Sequence, residues 1–337
     1  MSTSSCMSIR RMPRHGRQSG RTLIELLVAI ALGLLVLAGV ASLYFGASRS
    51  GRVAGNVAAV EEGGQIALSL MGNAVRRAGY AEIAGTNSTA RFNLLFDGPH
   101  VRGCSDGRDF VNAAAANPVN ADFVCTGGAV PNRVGDTLAV AFQADAVLAA
   151  AQAATVDCIG NNPPNRPAPA AFAGAAPGGV VPVVQNVYFV EWQPANLTGN
   201  LMCAGNGNPG QPQPVLNGVE DFRVFYGFDR AAFQLAGGTG APPSASSLLT
   251  AADINALPPV GLLTGWDFVV SVQVCVLVRT QDPGTSLGNT FIPCPADAAQ
   301  ARNPALIAPV ALPADGAFRR AYTQVFTIRS RASQSPS

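Results

Sequence analysis

Glu25 is a single carboxylate at the entrance of a long apolar stretch, and this placement could carry chemistry. No charged residue and no proline occurs from Leu26 to Ser48. As a helix this stretch would be roughly 35 Å long, enough to cross the ~30 Å hydrocarbon core of a bilayer. A lone carboxylate at the edge of hydrocarbon is costly unless it is paired, so Glu25 is a candidate functional residue. In the simpler alternative it only complements the positive end of the helix dipole, a contribution of about 0.3–1 kcal/mol.

Cysteines form a second candidate group. Six of them follow residue 20: Cys104, Cys125, Cys158, Cys203, Cys275 and Cys294. An even number in a segment expected to be exported indicates disulfides, and the sequence alone does not choose among the possible pairings. The alternative is that some of the six are free buried thiols. A zinc site is disfavoured, because no C-x-x-C occurs and His100 is the only histidine after residue 20.

The sequence contains no recognisable catalytic arrangement. A Ser-His-Asp arrangement would have to use His100, which follows Gly98-Pro99 and is predicted to be a solvated loop residue. A phosphate-binding P-loop needs lysine, and all 22 basic residues are arginine. The adjacent Glu220 and Asp221 would point to opposite faces of a strand. The sequence therefore predicts a protein that is not an enzyme, with no cofactor and no metal site.

Composition limits the number of domains and the kinds of partner. With 337 residues, 48% hydrophobic and 12% charged, the chain has room for a membrane anchor and one sizeable globular domain. From residue 80 onward 13 arginines stand against 17 acidic residues, a net charge of −4. Because binding to nucleic acid needs a basic face, no nucleic-acid partner is expected.

The residues that precede the apolar stretch set its expected orientation. Residues 1–20 contain four arginines, Arg10, Arg11, Arg14 and Arg17, together with His15, and no acidic residue. By the positive-inside tendency this segment faces the cytoplasm, and everything after residue 49 is exported.

Residues 49–78 are predicted to continue the helix in amphipathic form, because small and aliphatic residues recur at i+3 and i+4 spacing. Gly63-Gly64 is predicted to interrupt or kink it. Arg76-Arg77 favour the negative end of the helix dipole, and Gly79 can adopt the left-handed conformation that ends a helix. The sequence thus predicts one long helix over residues 21–78.

Beyond Tyr80 the apolar residues recur at a period of two, which is typical of strands. The predicted strands are Phe92–Phe96, Thr137–Phe142, Val187–Trp192, Val219–Phe228, Phe268–Arg279 and Tyr322–Arg329. The even-numbered residues of Val219–Phe228 are predicted to face a core. Pro-, Gly- and Asn-rich stretches at 158–182, 204–218 and 236–261 are predicted to be long loops. The expected fold class is α+β, a long N-terminal transmembrane and amphipathic helix packed on a β-rich antiparallel head.

The start of the chain resembles the class III signal of type IV prepilins and pseudopilins. A basic leader ends in Gly20, and Thr22-Leu23-Ile24-Glu25-Leu26 opens the apolar helix. The resemblance implies that a prepilin peptidase cleaves after Gly20 and methylates the new amine of Arg21, where the family usually has Phe. It also implies that Glu25 pairs with the amine of a neighbouring subunit and sets the register of subunit addition.

Later segments resemble PilW-type minor pilins. They are the helix end at 75–80 and three strand segments in the family's order, at 217–227, 269–280 and 319–331. The resemblance implies a non-catalytic subunit that helps to initiate a type IV pilus, sits at its tip, and serves adhesion and twitching motility. The alternatives are a pseudopilin of a type II secretion system, or a membrane-anchored envelope protein whose head binds a ligand or acts as a hydrolase.

Sequence and resemblance together imply a domain organisation. Residues 1–20 are a cleaved cytoplasmic leader, 21–48 the transmembrane and filament-core helix, 49–79 its amphipathic half, and 80–337 an exported head with long loops. The expected partners are the prepilin peptidase, other minor pilins and the major pilin, the inner-membrane assembly platform and a tip adhesin. The expected location is the inner membrane of a Gram-negative bacterium, with a single span and a periplasmic head, and the pilus after assembly.

Overall fold

A computed structural model describes residues 22–86, 92–96, 98, 100–111, 123–144, 156–167, 180–194, 198–208, 210–235, 242–261, 263–281 and 288–332. Gly20 and Arg21, where cleavage is predicted, lie outside the described residues, as does the predicted leader. The chain divides into two compact units, with the boundary between Ala54 and Gly55.

The first element, α1, is a continuous helix over Leu23–Arg77. At its start the carbonyl oxygen of Thr22 accepts hydrogen bonds from the amides of Glu25 at 3.0 Å and Leu26 at 3.2 Å. Glu25 lies in the first turn, where a carboxylate complements the positive end of the helix dipole. The helix contains no proline, so each of its residues keeps its backbone amide as a hydrogen-bond donor.

The end of α1 agrees with its predicted signals. Arg76 and Arg77 occupy the last turn, and Gly79 adopts a left-handed φ of 67°. The amide of Gly79 donates to the carbonyl of Ala141 at 2.9 Å. The chain therefore leaves the helix already hydrogen-bonded to the head.

Glycines in the second half of α1 permit close packing. The predicted interruption at Gly63-Gly64 is wrong, because the helix runs through both residues. A Cβ atom at Gly64 would overlap the ring of Tyr322, and one at Gly72 would overlap the ring of Phe326. The missing side chains let the helix backbone approach these aromatic rings.

Fourteen strands are described in the head and are numbered in chain order. They are β1 Ile83–Thr86, β2 Phe92–Leu94, β3 Val101–Cys104, β4 Arg133–Gln143, β5 Asn165–Pro167, β6 Val180–Gln193, β7 Thr198–Gly205, β8 Gln213–Asn217, β9 Val219–Phe228, β10 Ser247–Leu249, β11 Val269–Arg279, β12 Thr290–Phe291, β13 Val310–Ala311 and β14 Arg319–Thr327. Between or after them lie the short helices α2 Arg230–Gln234, α3 Ala251–Asn255, α4 Ala298–Arg302 and α5 Arg329–Ala332, and the 3-10 turns Gly265–Phe268 and Pro304–Leu306.

Two larger sheets organise these strands. One has the order β3-β4-β6-β7-β8, with β5 pairing β6, and the other has the order β10-β9-β11-β14. The strands β1 and β2 form a separate pair, as do β12 and β13. All pairings between the described strands are antiparallel. The predicted α+β fold class, with a long apolar helix and an antiparallel β-rich head, is confirmed.

One hydrophobic core joins the second half of α1 to both sheets. The helix contributes Val60, Ala67, Leu68, Met71, Ala74 and Val75. The first sheet contributes residues such as Leu138, Val140, Tyr188 and Leu201. The second sheet contributes Phe222, Tyr226, Val274 and Phe326. The predicted inward face of β9 is confirmed for its apolar members, since Phe222, Val224, Tyr226 and Phe228 all belong to this core. Burying a set of this size supplies the main favourable term for folding.

Loop predictions are wrong in several places. The stretch 204–218 contains β8, and 236–261 contains β10 and α3. In 158–182, β5 pairs with the first residues of β6. For β8 the reason is clear, because it is the edge strand of its sheet and an edge position tolerates Pro214.

Three disulfides connect the six cysteines that follow residue 20: Cys104–Cys125, Cys158–Cys203 and Cys275–Cys294. In each pair one cysteine lies in a strand, β3, β7 or β11, and the other lies outside the named strands. The disulfides therefore tie irregular segments of the head to its sheets.

His100 is buried, and its predicted solvated position is wrong. Its exposed fraction is 3%, and its carbonyl accepts the amide of Ala141 at 2.9 Å. The Cβ atom of His100 lies against Gly79 at the end of α1. The turn-like sequence before it leads directly into β3, all of whose residues are buried, so the histidine is covered together with the strand.

Candidate assembly surface

Glu25 stands at one end of an exposed apolar helix surface. It is itself exposed, as are its neighbours Leu23 and Leu26. The first backbone amides of a helix have no acceptor within the helix, and those of α1 lie near Glu25. They favour a negative charge at this position. The side chain is therefore free to meet a cation brought by another molecule.

Large apolar side chains cover the first half of α1, which we define as Leu23–Phe45. Their exposed fractions range from 52% for Ile30 to 77% for Leu43. By length and composition alone this helix could cross a membrane. An exposed apolar surface of this extent indicates contact with lipid or with other protein chains.

The second half of α1, from Val60 onward, is fixed to β14 by polar as well as apolar contacts. Glu61 forms an ion pair with Arg320, and the guanidinium of Arg76 lies 5.2 Å from the centre of the Phe326 ring. Beyond the helix, the hydroxyl of Ser330 donates to the carbonyl of Ala78 at 2.6 Å. This part of α1 is thus built into the head.

Arg319 anchors the beginning of β14 in an ionic cluster. Its guanidinium donates to Glu220 at 2.6 and 2.8 Å and to Asp315 at 2.5 and 2.9 Å. Arg279 adds a contact of 3.0 Å to Asp315. The hydrogen bond from Arg319, with the further bonds and charges around it, lowers the pKa of the Asp315 carboxyl to about 2. The strand that contacts α1 is therefore also tied to β9 and β11.

Asp136 links the two sheets at a buried position. It lies in β4, where the register with β6 shifts, and its carboxylate accepts the amide of Val224 in β9 at 2.8 Å. Burial raises the pKa of Asp136 to about 7, because the low-dielectric surroundings disfavour the charged form. The Asp136 carboxyl thus accepts a hydrogen bond that joins the two sheets. Burying its charged form costs free energy.

Of the residues predicted to be functional, the structure joins the six cysteines in pairs and presents Glu25 at the surface. It brings no second ionisable group of the described chain to Glu25 by an ion pair. Within the described ranges no group of three or more His, Cys, Asp or Glu side chains could hold a metal ion. The ionic cluster of Arg319 was missed in the sequence, because its partner Glu220 is 99 residues away.

Comparison with known proteins gives two family matches. The family described as type IV pilus-assembly protein W matches residues 187–330, and the prokaryotic N-terminal methylation motif matches residues 16–41. No curated protein matches the chain. Among solved structures, a type IV-like pilin, TTHA1219 from Thermus thermophilus, is similar over 83% of this chain and 99% of that chain, with 14% identity and a TM-score of 0.35. The two matches lead to one conclusion: the chain carries the N-terminal methylation motif of prepilins, and its head is similar to the family of type IV pilus-assembly protein W.

Proposed function

We propose that the protein is a non-catalytic subunit that helps to initiate assembly of a type IV pilus and sits at its tip. The observation that carries this proposal is the first half of α1, an exposed apolar helix that begins with Glu25. Such a surface suits storage in a membrane and later packing against other helices. Adhesion and twitching motility would follow from the presence of the pilus.

Processing would create the cation that Glu25 needs. A prepilin peptidase would hydrolyse the peptide bond after Gly20 and transfer a methyl group to the new amine of Arg21. In the membrane that amine could pair with Glu25 of the same chain, and in a filament with Glu25 of a neighbour. Pairing removes the cost of an isolated carboxylate at the hydrocarbon edge, which favours correct subunit register.

The exported head would be displayed towards the periplasm and then on the pilus. Its partners would be other minor pilins, the major pilin, the inner-membrane assembly platform and a tip adhesin. Three disulfides suit this location, because disulfides persist in oxidising compartments. The proposed cell is therefore a Gram-negative bacterium with the chain anchored once in its inner membrane.

The first test is the N-terminus of the protein isolated from its native membrane. Peptide mass spectrometry should find N-methylated Arg21 as the first residue when the prepilin peptidase is present, and residues 1–20 still attached in a strain without it. Retention of residues 1–20 in both strains would reject the filament-subunit proposal in favour of a permanent anchor.

The second test concerns Glu25. Glu25→Ala should insert into the membrane at the normal level but be absent from sheared pili, because the amine of Arg21 loses its partner. Glu25→Asp is the matched control, since it keeps the carboxylate, and it should be incorporated better than the alanine variant. Equal incorporation of Glu25→Ala and the unaltered protein would contradict the pairing.

A deletion strain separates a pilus from a secretion pseudopilus. Loss of surface pili and twitching with normal exoprotein secretion is expected for the proposed function. Loss of secretion with normal pili would assign the protein to a type II secretion system.

A further inference from the structure

The strand β14 directs alternate backbone groups away from its sheet. The amide of Ile328, directly after the strand, donates to the carbonyl of Val270 at 2.9 Å. The register between β14 and β11 is continuous over all nine residues of β14 and leads into this bond. Because the bonding direction alternates along an antiparallel strand, the even-numbered residues of β14 bond to β11. Its odd-numbered residues therefore point their amides and carbonyls away from β11.

This outer edge of β14 is open within the part of the chain that the structure describes. There β14 is the last strand of its sheet, and β11 is its only neighbouring strand. The outward backbone groups belong to Ala321, Thr323, Val325 and Thr327. Thr323, Gln324 and Val325 all have exposed side chains, although successive side chains of a strand point to opposite faces. The chain therefore closes over this edge from neither face of the sheet.

The other edges of the two larger sheets are protected against pairing with another chain. The strand β10 has only three residues, β3 is buried throughout, and β8 carries Pro214. In contrast, residues 321–327 of β14 include no charged residue, no proline and no glycine. Short length, charge and proline are the usual means of blocking an edge, and this part of β14 has none of them.

We propose that the outer edge of β14 binds an extended, uncharged segment of a different protein as an additional antiparallel strand. Only an extended chain can match a row of alternating backbone donors and acceptors, which gives the affinity in strand addition. The segment would be uncharged, because residues 321–327 offer no opposite charge across the pairing. That the partner is another subunit of the same pilus rests on the proposed function.

A second copy of this chain is a poor occupant of the edge. The second half of α1 advances along β14 in the same direction, since Gly64 lies against Tyr322 and Gly72 against Phe326. Antiparallel pairing of two β14 strands would therefore set the two helices in opposite directions. Copies anchored in one membrane with the same orientation do not meet in this way. Such a pair would also close as a two-fold dimer, which does not suit a single subunit at a pilus tip.

Amide hydrogen exchange of the full-length protein tests the strand addition directly. In the protein purified alone in detergent, the amides of Gln324 and Phe326 should be protected by β11, whereas those of Thr323, Val325 and Thr327 exchange rapidly. In the protein isolated from native membranes with its bound partners, these three amides should slow about tenfold or more. Protection of the three amides in the protein alone, or rapid exchange in both samples, overturns the proposal.

Photo-crosslinking identifies the occupant. Benzoylphenylalanine at Thr323 should crosslink in native membranes to an extended, uncharged segment of a different protein. The matched control carries the same group at Gln213, which is exposed on β8 beside Pro214, and it should give no such product. A crosslink that joins two copies of this chain, or that maps to a helix of another protein, contradicts the proposed occupant.

Substitutions at Val325 show whether the crosslink depends on backbone pairing. Val325→Pro removes an outward amide that does not bond to β11, and it should lower the crosslink from Thr323 about tenfold. Val325→Thr is the matched control, because it keeps the amide and the branched shape, and it should crosslink normally. Val325→Glu keeps the backbone and adds a charge at a side chain that is 57% exposed. It should also lower the crosslink, and it provides the test if thermal unfolding shows that the proline variant is destabilised. A crosslink that neither substitution lowers rejects strand addition.

The outcomes separate this inference from the proposed function. Protein that begins at Arg21 and enters pili, but whose outward β14 amides stay unprotected, rejects the strand addition and leaves the proposed function standing. Protein that retains residues 1–20 and still shows the protection and the crosslink rejects the proposed function and supports strand addition in another assembly.

Discussion

In the first half of α1 every large apolar side chain is more than half exposed, whereas the core residues of the second half, from Val60 to Val75, are at most 6% exposed. The same continuous helix therefore contains one half whose apolar residues are covered within the chain and one half whose apolar residues are not. The exposed half is the more apolar of the two. Hydrophobicity alone does not show where this helix packs.

Small residues occur in both halves, but only those of the second half lie against the head. In the second half Gly64 and Gly72 let the backbone lie against Tyr322 and Phe326. A Cβ atom at a glycine of the first half, such as Gly39, would meet no described atom within 4 Å beyond its chain neighbours and the adjacent helix backbone. A small residue in the first half is thus open for close approach by a helix of another chain, a contact that small residues favour in lipid.

Removal of residues 1–54 should have the largest effect on this comparison. The remaining chain begins at the boundary of the second compact unit, so the head is expected to fold and to remain in solution without detergent. The full-length protein should sediment with membranes. Membrane fractionation and thermal unfolding measure both properties. Aggregation or loss of the folded head after the deletion would show that the first half also stabilises the head.

Replacing a glycine of α1 by leucine should lower the free energy of unfolding of the head when the glycine lies in the second half and not when it lies in the first. Gly72→Leu forces a side chain into the Phe326 ring and should cost about 3 kcal/mol or more in the free energy of unfolding. Gly39→Leu is the control, and it should leave unfolding of the head unchanged because no neighbour lies there. Denaturant unfolding in detergent is the measurement. A comparable loss in both variants would remove the distinction between the halves.

Stability of the head should depend on pH through Asp136, whereas the stretch 26–48 contains no carboxylate and no basic side chain. The folded pKa of Asp136, about 7, is above the ordinary 3.8. The folded state therefore binds the extra proton, and stability falls as the pH rises between about 4 and 7. From pH 5 to 7 the expected loss is about 2–3 kcal/mol.

Asp136→Asn tests this dependence, because it should flatten the change between pH 5 and 7. The carboxyl of Asp315 does not interfere, since its pKa is lowered to about 2. The contribution of Asp315 to the free energy of unfolding is complete above pH 4 and is lost only as the pH falls towards 2. An unchanged pH profile in Asp136→Asn would assign the dependence to other groups.

The smallest effect is expected from the ion pair between Glu61 and Arg320. Both side chains are substantially exposed, at 37% and 52%, so Glu61→Ala should cost no more than about 1 kcal/mol. Raising the salt concentration should reduce even that difference. A cost of several kcal/mol would mean that this ion pair, and not the glycine packing, holds the second half of α1 in place.

Local signals in the sequence predicted much of the fold. The end of α1 was predicted from Gly79, and β9 was predicted with the bounds at which it occurs. The predictions fail where contacts between residues far apart in the sequence determine the structure. A Pro-rich stretch became β8 because β7 lies beside it, and His100 was buried because α1 ends over it.

The candidate site divides in the same way. Glu25 and the apolar stretch are local features, so the sequence alone identifies them. The pairing of cysteines and the cluster around Arg319 depend on which distant segments of the chain become neighbours, and residue types at separate positions do not specify that. The role of Glu25 in pairing and the cleavage after Gly20 stay predictions.

The contacts between α1 and β14 have a mechanical consequence. Glu61 meets Arg320, Gly64 meets Tyr322 and Gly72 meets Phe326, so helix and strand advance in the same direction. A pull along the helix axis would therefore load β14 along its length, and all nine of its residues are in continuous register with β11. Under tension these residue pairs would bear the force together in shear. If the two strands were instead pulled apart from one end, the pairs would break one at a time.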